Sequence, residues 1–193
     1  MENILQKNQH DICEDVLKII NNESVNIETE ENAKSSLYVF LNNTIYISNK
    51  TNNKKSKEEQ NKAKVLVIAH ECAHSIQPKV WHIINFVLSN IELLLFVTSV
   101  LICVFFNRYT SLVNSYAIIS ILSIGIRWYL EMNATINSVK ITIKYFTNGG
   151  VDKVSIKELL GYYKKELLKA LPLFISGLFI FKIIRLIVVL IIL

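Results

Sequence analysis

Three apolar runs set the first limit on what this chain can fold into. Phe86 to Phe106 carries one charge, Glu92; Tyr109 to Ile126 carries none; Leu171 to Leu193 is broken only by Lys182 and Arg185. A helix needs about 20 apolar residues to cross the hydrocarbon of a bilayer. Inside that hydrocarbon no water satisfies backbone amides, so a single segment crosses only as a helix. The pattern predicts a mostly α, integral membrane protein with about three transmembrane helices, preceded by a small α+β part. A single soluble domain would suit 193 residues. It does not suit a chain that is 51% hydrophobic with its apolar residues gathered toward the C-terminus.

The net charge of +5 points to anionic lipid headgroups rather than to nucleic acid, because the lysines sit in polar segments flanking the apolar runs. Between the second and third runs lie Lys140, Lys144, Lys153, Lys157, Lys164, Lys165 and Lys169, whereas the loop between the first two carries only Arg108. Basic residues mark the cytoplasmic side. The expected topology is a multi-pass cell-membrane protein with its N-terminus and middle loop inside and the Asn107-Arg108 loop outside. The polar opening MENILQKNQHDICEDVLK has no apolar core and predicts no cleavable signal peptide. Cys13, Cys72 and Cys103 are odd in number and widely spaced, which argues against a disulfide framework or a cysteine-based zinc site.

Four segments follow from this pattern: 1–80 with a hairpin and a motif helix, 81–130 as a transmembrane hairpin, 131–166 as cytoplasmic helices, and 167–193 as a C-terminal transmembrane helix. In the first, Ile12, Val16, Ile19 and Ile20 fall at helical spacing, predicting a short amphipathic helix over 11–20. SVNIETE alternates like a strand. Ser36 to Ser48 reads as a β-hairpin, because two β-branched and aromatic runs flank Asn42-Asn43, a pair that tolerates a left-handed backbone. A polar stretch, NKTNNKKSKEEQNK, leads into a helix from about Ser56 that ends near Gln77, since Pro78 cannot continue it. Farther on, Gly149-Gly150 stops the helix that follows Glu131, and Ser155-Ile-Lys-Glu158 fits a capping box for the next one.

The motif helix carries Val65-Leu-Val-Ile-Ala-His-Glu-Cys-Ala-His-Ser-Ile-Gln-Pro78. Residues i and i+4 project from one face of a helix, so His70 and His74 can reach a single ion. Glu71, about 100° around the helix from His70, can touch a metal-bound water without displacing it. That geometry is why His-Glu-x-x-His recurs in zinc peptidases: zinc acidifies water and the glutamate takes its proton. Cys72 points roughly 200° from His70 and is read as a packing residue. Trp81 and Trp128 flank the apolar runs as interfacial anchors.

A catalytic zinc usually takes three protein ligands and keeps one position open. His82, Glu92 and Glu131 are the later candidates. Pro78 redirects the chain before His82, and Glu92 lies near the start of the first membrane run, where a charge is costly without a partner and snorkels or faces a lumen. Glu131 is better placed, because two crossings separate it from His74 and an even number returns the chain to the same side.

AHECAHSIQ resembles the His-Glu-x-Gly-His-Ala-x-Gln motif of the YugP-like family of neutral zinc metallopeptidases of bacterial membranes. Glu131-Met132-Asn133-Ala134-Thr135 matches that family's Glu-Phe-Asp-Ala-Ser segment, and the resemblance runs from about Ser36 onward. It implies a zincin-like N-terminal part, His70, His74 and Glu131 as zinc ligands in a gluzincin-like set, and Glu71 as catalytic base. Membrane peptidases of the CAAX-prenyl-protease type are similar in logic. Two residues depart from the pattern: Ala73 replaces a glycine, and Asn133 replaces an aspartate that could orient a ligand histidine. The expected function is a zinc-dependent metallopeptidase acting on peptide or protein substrates at the cytoplasmic membrane face. The alternative is a non-enzymatic membrane protein whose zinc site serves structure or partner binding.

Overall fold

The computed structural model describes residues 7–30, 35–48, 57–105 and 110–192. The Asn107-Arg108 loop and the start of the polar linker before the motif helix lie outside these residues. Among those described, five helices and three strands follow in the order α1 (Gln9–Ile19), β1 (Asn26–Glu30), β2 (Leu37–Val39), β3 (Thr44–Ser48), α2 (Lys57–Ser75), α3 (Lys79–Phe105), α4 (Thr110–Asn148) and α5 (Lys153–Ile192). The fold is mostly helical with one small sheet. Two helices are long and apolar enough to cross a membrane, within Lys79–Ile102 and Ser111–Asn148.

The chain divides into two compact units. Met1–Gln77 with Glu131–Leu167 form the first, and Pro78–Leu130 with Leu168–Leu193 form the second. Each is assembled from segments distant in sequence, and α4 and α5 each contribute to both.

In the first unit, α1 buries Ile12, Cys13, Val16 and Leu17 at helical spacing. The Asn8 side chain caps its N-terminus by accepting from Asp11 N–H at 2.8 Å. Its other end closes through Asn21, whose φ of 54° lets Asn21 N–H reach Lys18 C=O and Asn22 N–H reach Leu17 C=O. Those two bonds satisfy carbonyls that the helix would otherwise leave open. β2 and β3 form the expected hairpin, antiparallel with Tyr38 opposite Ile45, and Asn43 supplies the left-handed turn residue at φ 53°. β1 then adds to β3 in parallel, Ile27 opposite Ile45, giving the order β1-β3-β2. Ile45 and Ile47 of the central strand meet Val65, Ile68, Ala69 and Cys72 of α2 and Phe146 and Tyr163 from the later helices in one core.

α2 ends at Ser75, as Pro78 requires. Asn22 closes this end by donating to the Ser75 carbonyl at 3.2 Å and to its hydroxyl at 2.9 Å. α4 stops where Gly150 takes a φ of 74° and Val151 N–H bonds back to Phe146 C=O. The cap of α5 differs from the expected one. Asp152 Oδ1 accepts from the N–H groups of Val154 and Ser155 at 2.9 Å each, and Ser155 Oγ donates to Asp152 Oδ2 at 2.6 Å. A carboxylate three residues upstream outcompetes the serine hydroxyl as acceptor, so Ser155 lies inside the first turn instead of before it.

In the second unit, α3 and α4 run antiparallel: Trp81 stacks at 5.4 Å on Tyr129 and Phe96 at 6.0 Å on Tyr116. The interior between them is polar at several levels, whereas Leu94, Phe105, Ile118, Ile121 and Phe181 are 60–73% exposed. That is the reverse of a soluble domain's pattern.

Candidate metal centre

α2 has a divided surface. Val65, Ile68, Ala69, Cys72 and Ala73 are all essentially fully buried, spaced i, i+3, i+4, i+7 and i+8, and fix that stripe against the sheet and α1. Cys72, predicted to face away from the metal site, lies 3.8 Å from Cys13, sulfur to sulfur. With that stripe fixed, His70, His74 and Gln77 share another face. On α4, Ala134, Ser138, Ile141 and Tyr145 are buried along one stripe, and Glu131 is the next position of that stripe toward the N-terminus. The fully buried Ala134 leaves room for α4 to approach.

The two faces meet. Nε2 of His70 and Nε2 of His74 are 3.2 Å apart, and each lies 3.4 Å from Oε2 of Glu131. Among the described residues these three form the group able to hold a metal ion; His82 and Glu92 belong to the second unit. An ion about 2.0–2.1 Å from each of three ligands at tetrahedral angles needs ligand separations of about 3.3–3.4 Å. The observed triangle therefore has the size of a zinc ligand set. The three side chains are 12–21% exposed, which leaves an approach for a fourth, non-protein ligand.

Hydrogen bonding around His74 fixes which atom faces that point. Gln77 Nε2 donates to Asn133 Oδ1 at 3.1 Å, and Asn137 Nδ2 donates to the same oxygen, also at 3.1 Å. Gln77 Oε1 is thereby turned to His74 Nδ1 at 2.9 Å. An amide oxygen only accepts, so Nδ1 carries the proton and Nε2 of the neutral ring offers a lone pair to the centre. Asn133 thus does by an amide oxygen, through Gln77, part of what an aspartate would do. Burial pulls the His74 pKa down, but the Glu131 carboxylate and Gln77 outweigh it and the net shift is upward.

Glu71 is placed beside, not in, the triangle. Its Oε2 accepts from Tyr38 N–H on edge strand β2 at 2.8 Å. Burial raises its pKa, partly opposed by the charges of His70 and His74 and by the Tyr38 hydrogen bond. A carboxylate with a raised pKa is the better proton acceptor near neutrality. Sequence reading passed over Asn22 and Asn137. Neither lies in a motif, and their roles depend on partners far along the chain.

Comparison of the chain with family models, with curated proteins and with solved structures gave no match.

Proposed function

We propose that this chain is a membrane-embedded zinc metallopeptidase, multi-pass, with a zincin-like first unit and its metal centre at the cytoplasmic face. The observation that carries the reading is the convergence of His70, His74 and Glu131 at zinc-ligand separations, with Glu71 beside them. The exposed apolar side chains of the second unit and the lysines of 140–169 support the membrane placement and its sidedness.

Zinc bound there would act as a Lewis acid, polarising a carbonyl oxygen and acidifying water. The remaining work falls to the protein. Glu71 takes a proton from the attacking water and passes it to the departing amine nitrogen. Gln77 and Asn133 hold the His74 ring. Among the described residues β2 lies at the sheet edge, and the Tyr38–Glu71 hydrogen bond puts that strand next to the base.

The test uses detergent-purified protein with a peptide-library digest beside metal analysis. Wild type should hold one zinc and cleave; Glu71→Gln should hold one zinc and not cleave; chelation should stop cleavage and added zinc restore it. If both proteins hold one zinc and both are inert, the non-enzymatic reading replaces this one. Its structural support is Asn133, which gives the His74 relay no charge.

A further inference from the structure

The C-terminal half of α5 has two faces of opposite character. Ile180, Ile183, Ile184 and Ile187 fall at i, i+3, i+4 and i+7 and are exposed, as is Phe181. On the other side Lys182 and Val189 are buried and Arg185 is half-buried. Val189 and Leu186 pack there with Tyr116 of α4 and Phe96 of α3. A helix on the surface of a soluble domain turns its charges out and its apolar residues in. This one does the reverse, which suits a hydrocarbon surround.

Its two cations are nonetheless badly placed for a helix crossing alone. Lys182 is the middle residue of the apolar run 171–193, about 16 Å of helix from either end. That is too far for its side chain to carry the ammonium to an interface. Arg185 is one turn away. A single carboxylate from α3 meets both. Glu92, fully buried, accepts through Oε2 from Arg185 Nη2 at 3.2 Å and from Lys182 Nζ at 3.3 Å, while its Oε1 accepts from the Tyr116 hydroxyl at 3.2 Å. Lys182 also donates to Ser89 and Ser123, and the Arg185 guanidinium lies 5.7 Å over the Phe96 ring. All these partners belong to α3 and α4.

We propose that the C-terminal half of α5 is a third bilayer span whose entry depends on Glu92. The hairpin of α3 and α4, each long and apolar enough to cross, goes in first and presents the carboxylate and hydroxyls that the two cations need. Without that carboxylate both cations enter unpaired, which hydrocarbon opposes, and the segment stays outside the bilayer. The observations lie wholly within the second unit and do not depend on the zinc reading.

The experiment uses the full chain in sealed inside-out membrane vesicles, with an epitope tag at each end read by protease protection. Three spans put the two tags on opposite sides and two spans put them on the same side, whichever way the chain is oriented. Wild type should show opposite sides. Glu92→Leu makes α3 more apolar, so the hairpin still inserts, but the ratio of opposite-side to same-side chains should fall at least about tenfold. Adding Lys182→Leu and Arg185→Leu to that variant removes the cations as well and should restore the wild-type ratio. Same-side tags in wild type would overturn the proposal, and so would a Glu92→Leu ratio within about twofold of wild type. A triple variant no better than Glu92→Leu would overturn it too, because the loss would then owe nothing to unpaired charge.

Discussion

Replacing Gln77 by alanine tests the metal centre at a residue that touches no metal. Its side chain accepts from His74 Nδ1 at 2.9 Å and is itself held by Asn133 at 3.1 Å, so its loss frees the His74 ring to rotate and to change tautomer. Removing the group that orients a ligand histidine typically costs 10- to 100-fold in metal affinity, or about 1.4–2.8 kcal/mol. Asn137→Ala removes one neutral hydrogen bond at the far end of the relay, and should cost about two- to fivefold. Asn133→Asp keeps both donors satisfied and adds charge, so it should bind zinc more tightly than wild type. Zinc dissociation constants come from competition with a chromophoric chelator on purified protein, with helical content followed in parallel by circular dichroism. The order Asn133→Asp, wild type, Asn137→Ala, Gln77→Ala is the signature of the relay. A Gln77→Ala protein that folds normally and binds zinc within about twofold of wild type would refute it.

Other outcomes follow from the same geometry. Glu131→Ala should reduce zinc from one per chain to a substoichiometric level under dialysis while leaving the fold intact; unchanged stoichiometry and affinity would remove it from the ligand set. Glu92→Ala leaves buried Lys182 and half-buried Arg185 without their carboxylate, and should destabilise the second unit by about 3–5 kcal/mol. Replacing Glu92, Lys182 and Arg185 together by leucine should recover most of that loss in thermal unfolding. Gly150→Ala introduces a side chain at φ 74°, where space is open but the backbone is unfavourable, and should cost about 1–2 kcal/mol. Asn22→Ala uncaps α2 at Ser75 and should lower stability by about 1 kcal/mol; both are read from denaturant midpoints.

What could be read from the sequence was local. The hairpin follows from Asn42-Asn43 between two strand-forming runs, the end of α2 from Pro78, the end of α4 from Gly149-Gly150, and the shared face of His70 and His74 from helical period alone. What escaped depends on partners distant in sequence. No pattern in NIETE says that it pairs with β3 in parallel. Asp152 and Ser155 both fit a cap, and only the backbone geometry of the preceding turn decides between them. Glu92 reads as a charge that snorkels or faces a lumen, and only the fold pairs it with Lys182 and Arg185, some ninety residues on. The convergence of Glu131 with the histidines stood between these cases. Counting crossings made Glu131 a candidate, but its distance from His74 depends on Ala134 and its buried neighbours.

The order of segments in the first unit has a consequence for how the protein is made. The imidazoles leave the ribosome early, whereas the carboxylate that completes their triangle emerges only after the whole apolar hairpin of 78–130 has been synthesised. A truncated or stalled product ending anywhere in that hairpin therefore carries the motif but not the full ligand set. The order of synthesis thus leaves the three-residue group incomplete until the apolar hairpin has been made.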